Sequence, residues 1–232
     1  PGDGACLIGN LPGARMRELA ATAGPLAERV ARELGIDGGP PLRGGVVVFV
    51  FRQAYDYSAL WQNIVGAERP KGLAGHAGVS GDVAYGAVLL PAGDEDGEQT
   101  RLLVAEQIAG AALAGRNLPG WFVQGAARTV AARLVPKAAA VQEWKRDVPV
   151  AVTRLGSTAD FLAGHAEPVA SATAAGGFVG GLATGVKLRQ LVAAIDGGAA
   201  FDDAFARLFR ATPQQAFEAW AAREARKAPR PR

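Results

Sequence analysis

Two histidines, one cysteine and one methionine are all the chain of 232 residues holds of those residue types. With Cys6 alone no internal disulfide can form, so cysteine usage fixes no compartment. The excess of one charge sign over the other is small as well. The net charge of +3 is too small to point to nucleic acid. The basic excess gathers at the end, in Arg223, Arg226, Lys227, Arg230 and Arg232, without interleaved aromatics, and reads as a solvated basic tail over 227–232. Residues 168–186 carry no charge and match the length of a membrane span, but they have few large apolar side chains. Gly177 and Gly181 suit a helix packed closely inside a protein, so no transmembrane segment is expected.

Familiar catalytic signatures are missing too. In Gly78-Val79-Ser80-Gly81 the second glycine comes one residue early for a nucleophile elbow. The segment Gly180 to Lys187 lacks the Gly-Lys-Ser/Thr ending of a phosphate-binding loop. His76 and His165 lie in loop-like segments rich in Gly and Ala, where exposed or singly hydrogen-bonded histidines are expected.

What is present is apolar: 49% of residues are hydrophobic, enough for one core of ordinary domain size. This content leans on Ala and Gly, so helices can approach closely while each buries modest area. Leu19, Ala23, Leu26, Val30 and Leu34 recur at three- and four-residue steps and predict a helix over 12–34, with Pro25 a place to break or kink it. Gly38-Gly39-Pro40-Pro41 then stops the chain. Gly44 to Phe51 reads as a buried strand, β-branched and aromatic. A short helix with Tyr57, Leu60, Trp61 and Ile64 on its buried side follows. Residues 66–82 read as a loop or weak hairpin, and Val83 to Leu90 as a second strand. The acidic run Asp94-Glu95-Asp96-Gly97-Glu98 lies just ahead of the next helix, whose positive end it favours. Helices are expected over 99–115 and 121–134. A mixed region over 136–166 has Trp144 and Phe161 as anchors. Four more helices follow, the last opened by Thr212 as N-cap and Pro213 in its first turn.

The stretch 101–135 is the most informative. It contains Ala105-Glu106-Gln107-Ile108-Ala109, then Leu118-Pro119-Gly120-Trp121, then Gln124-Gly125-Ala126-Ala127. In order and spacing this resembles gluzincin-like zinc metallopeptidases of the peptidase-MA-like kind. There H-E-x-x-H on one helix precedes a Pro-x-Trp turn and an E-G-x-A segment. In H-E-x-x-H two imidazoles one turn apart reach one zinc ion, and the Glu takes a proton from the metal-bound water. Here the resemblance puts Ala105 and Ala109 at the histidine positions, Gln124 at the third-ligand position, and Glu106 alone at the general-base position. Alanine supplies no donor atom and a neutral amide is a poor zinc ligand. The resemblance therefore implies no metal, no other cofactor and no ancestral chemistry.

The expected fold is α+β and mostly helical, a single zincin-like domain over 1–232 with a small N-terminal β-sheet. Its parts are an N-terminal helix and sheet over 1–98, motif helices over 99–135 and a helical part over 136–226. The expected function is a catalytically inactive peptidase homologue that binds a protein or peptide partner or serves structurally. Glu106, Trp121, Gln124 and Arg128 would line any retained groove. The alternative is a metal-free hydrolase using Glu106, favoured if His76 or His165 came within hydrogen-bond reach of it. The plainer role for Glu106 is a carboxylate on the helix surface, or one buried against Gln124 or Arg128. The alanine ridge of residues 105, 109 and 112 would accept a close helix, with the glycines of 176–181 as partner, or leave an apolar cleft. The family resemblance also implies a secreted or periplasmic location; no signal peptide is visible, and nothing fixes the oligomeric state.

Overall fold

The computed structural model describes residues 6–36, 46–93 and 97–228. The expected glycine-proline stop, the start of the first predicted strand, residues 94–96 of the acidic run and the last residues of the basic tail lie outside the described residues; Glu98 of that run stands in the first turn of a helix.

The chain is α+β and mostly helical, with a four-stranded sheet near its N-terminus. β1 (Cys6–Gly9) leads into α1 (Gly13–Leu34). β2 (Val46–Phe51) and α2 (Ala54–Val65) follow, then the hairpin β3 (Gly75–Ser80) and β4 (Val83–Leu89). Strand order is β1-β2-β4-β3, with β1 and β4 parallel to β2 and β3 the antiparallel edge.

All five residues of the predicted stripe on α1 are buried. The helix runs on through Pro25 as a single element. Pro25 is exposed, and so is Ala21, whose carbonyl Pro25 cannot bond and which water can reach.

α3 (Glu98–Leu113) is the central helix. Nearly every residue from Thr100 onward is buried, and it packs on α1, on α4 (Gly120–Leu134) and on β2, β3 and β4. The region expected to be mixed forms α5 (Ala139–Thr153) and the short α6 (Thr158–Ala163). α7 (Pro168–Leu182), α8 (Gly185–Asp196), α9 (Phe201–Phe209) and α10 (Pro213–Ala225) complete the chain. The predicted Thr212 cap is a full capping box with Gln215.

The alanine ridge and the glycines of α7 do not meet as partners. α7 packs on α4 and α5 instead. A Cβ built on Gly125 would lie 2.5 Å from the carbonyl oxygen of Ala175, and one on Gly177 would lie 2.7 Å from Val148. At Gly125 the partner is backbone, which cannot give way, and at Gly177 the packed side chains of Val148 and Trp220 fill the space. Among the described residues no single helix is long and apolar enough to cross a membrane. α7 and α8 pass together by length and composition but are bent by 105°. Both contribute core residues, among them Phe178, Val179, Leu188 and Leu191.

Candidate functional site

A groove of about 780 Å³ opens between the β3 edge and α3, α4, α5 and α7. Its floor comes from one face of α3, through Leu103, Glu106, Gln107 and Gly110. These positions follow helical spacing, so the face is continuous. Gln124 and Arg128 of α4 complete it.

Ala105 and Ala109 are not on this face. Both are fully buried in the core cluster. The alanine cleft is therefore filled, and the open groove lies around the other side of the same helix. The reason is geometric: residues 105 and 109 project roughly opposite to 103, 107 and 110. Two pairs one turn apart face the groove, Leu103 with Gln107 and Glu106 with Gly110. Trp121 is also displaced from its expected place. It is 5% exposed and packs among Phe122, Phe161, Phe178, Phe201 and Phe205. It reaches only a smaller hollow beside Gln124, lined by the α6 end and α7.

Glu106 is buried against Arg128. Arg128 Nε donates to Glu106 Oε1 at 3.0 Å, and its Nη1 donates to the Thr173 hydroxyl at 3.4 Å. The guanidinium lies over the Trp144 ring, 4.3 Å from its centroid. The pair leaves the groove floor close to neutral. Among the described residues no group of three or more His, Cys, Asp or Glu side chains is placed to share a metal ion.

The histidines do not join Glu106. His165 is exposed beyond α6. His76 sits on β3, where side chains alternate between faces. Gly75 and Ala77 face α3, since Cβ atoms at 75 and 110 would meet Gln107 and Ala77. His76 faces the other way, toward α2. Its Nδ1 shares a hydrogen bond of 2.8 Å with the Tyr57 hydroxyl, and its ring packs on Trp61 and Tyr85. Burial holds the His76 pKa down to about 4 and pushes the Tyr57 and Tyr85 hydroxyls above their ordinary value. Tyr57 is buried and Trp61 half-buried on the helix side that their spacing predicts, but the place of His76 between them was not legible, because β3 is rich in glycine and carries no strand signature.

β3 presents its free edge to the groove. The hydrogen bond from Leu89 N to Ala74 O fixes the ladder phase. With the register Ser80 to Val83, residues 76, 78 and 80 point their backbone groups at β4. The N–H and C=O groups of Gly75, Ala77 and Val79 therefore point outward. Gly81, first of the two turn residues, has φ +58°, the left-handed conformation a tight hairpin of this kind needs.

Neither a family model nor a curated protein matches the chain.

Proposed function

We propose that the chain is a metal-free relative of gluzincin-like peptidases, with a zincin-like fold, that binds an extended peptide in this groove. The observation that carries the reading is the Glu106–Arg128 pair on the groove floor beside an unpaired strand edge. A frame one residue later, Glu106-Gln107-Ile108-Ala109-Gly110, puts a groove-facing pair, Glu106 and Gly110, at the two histidine positions of H-E-x-x-H. Gln107 falls at the base position and Gln124 at the third-ligand position.

In this reading the chemistry is replaced part by part. A glycine has no donor atom, and a glutamine amide cannot take a proton from water at neutral pH. The carboxylate of Glu106 is engaged by a guanidinium rather than free to ligate. What is kept is a concave site with an unspent row of backbone donors and acceptors, which suits strand addition. The lining mixes apolar walls, such as Val123, Ala127 and Trp144, with few polar groups. The ligand is a protein or peptide segment, and the family resemblance favours an extracytoplasmic setting.

The test has two parts. Protein purified without chelator is assayed for metal by plasma mass spectrometry, and for cleavage of unfolded casein. Substoichiometric zinc and no cleavage are expected. Near-stoichiometric zinc that is lost in Glu106→Gln would overturn the reading.

A further inference from the structure

Gln107 is 4% exposed, yet its carboxamide makes no hydrogen bond with the described residues. Its side chain crosses the sheet face over two glycines. A Cβ on Gly86 would lie 2.7 Å from Gln107 Cβ, and one on Gly75 would lie 2.5 Å from its Nε2. The amide thus ends at Gly75, on the outer edge of β3, and it lines the groove. The carboxamide opens on the groove with a donor face and an acceptor face unspent within the protein, and both call for a partner. Water can serve in the empty groove, and a ligand can serve better.

We propose that Gln107 is a ligand-reading residue and that the groove selects an extended peptide with a side-chain carboxamide, Asn or Gln, at the position opposite Gly75. This rests on the strand-addition reading above. Paired residues of neighbouring strands point their side chains to the same face. A residue paired with Gly75 therefore turns its side chain toward α3 and meets the Gln107 amide. Two carboxamides can exchange a donor and an acceptor each. Beside Gly110 the space is taken by Ala77 itself, since a Cβ on Gly110 would lie 2.6 Å from the Ala77 Cβ, so the specific pocket is the one at Gly75. A charged residue opposite Gly75 meets the neutral Gln107 amide first. Glu106 and Arg128 already neutralise one another, and Gln107 is neutral.

The probes are four blocked pentapeptides, acetyl-Ala-Thr-Xaa-Thr-Ala-amide, with Asn, Leu, Lys or Asp at the centre. Each is titrated to millimolar concentration into the ¹⁵N-labelled full chain, and the amide shifts of residues 75–79 are followed. The Asn peptide is expected to bind at least tenfold more tightly than the other three. Gln107→Leu is expected to move the preference to the Leu peptide. Thermal melting of the variant checks that it is folded, and Gln107→Glu, which keeps the shape, is a second variant expected to lose the Asn preference. Binding without preference at the central position, or a ranking unchanged in both variants, overturns the inference and leaves the groove reading standing. No shift change in β3 with any peptide overturns both.

Discussion

Arg128 holds Glu106 across the groove floor with its Nε 3.0 Å from Oε1, while Trp144 lies against the guanidinium plane. The side chains are 16% and 8% exposed, so the pair is largely desolvated. Breaking such a pair from one side costs more than removing both members, because a lone buried charge remains. Arg128→Met should cost about 3 kcal/mol in urea unfolding, and Glu106→Gln combined with Arg128→Met clearly less than the two single changes summed. Additive losses would mean that the two groups are not coupled.

Stability should fall in mild acid through His76. Its pKa is lowered from 6.5 to about 4 by burial, so the folded chain takes up this proton less readily than the unfolded chain. The contribution is fully present above about pH 6.5 and is lost as pH drops toward 4, by at most about 3 kcal/mol. The groups facing the ring are Tyr57, Trp61 and Tyr85, with Arg69 stacked on Tyr57, and none of them welcomes a second positive charge. His76→Phe should remove this part of the slope between pH 6.5 and 4 in chemical denaturation; an unchanged slope would place its source elsewhere.

Gly125→Ala should be among the most damaging small changes. The added methyl would strike the Ala175 carbonyl oxygen and the Val179 side chain, forcing α4 and α7 apart. A loss of about 2–3 kcal/mol is expected by equilibrium unfolding, as for overpacked cores. By contrast, Gly24→Ala meets nothing within 4 Å in the middle of α1 and should be neutral or stabilising.

Val79→Pro isolates the strand edge. Val79 is 42% exposed and its N–H points away from β4, so proline removes an outward donor without breaking the ladder. Peptide binding at β3 should be lost while the melting temperature stays within a few degrees.

Arg210 ends α9 with φ +58°, the one non-glycine residue with positive φ among those described. Arg210→Gly should raise stability by about 1 kcal/mol, or about 2–4 °C in melting temperature.

Elements that carry their own pattern were legible in the sequence. The stripe from Leu19 to Leu34, the β-branched run of β2 and the Thr212-Pro213 cap each name their structure locally. β1 and β3 were not legible as strands. Cys6–Gly9 is defined by pairing with residues some forty positions on, and Gly75–Ser80 by pairing with β4. α5 was hidden by Pro149 and a mixed composition. The site was half legible. Glu106, Gln124 and Arg128 line the groove as expected, whereas Ala105, Ala109 and Trp121 turn into the core. The middle of α3, alanine, glycine and small apolar residues on nearly every side, gives no periodic signal to say which alanines face the core. Only the strand glycines 75 and 86, which make room for Gln107, mark the exposed face.

Because α4 and α7 meet glycine to carbonyl, the distance between two walls of the groove is set by main chain rather than by side chains. No rotamer change at that contact can widen the groove. Opening it would mean sliding one whole helix along another, against a core that also anchors α5 and α10. The site is therefore a mould of fixed width, able to change what it recognises by single substitutions on its floor while keeping its outline.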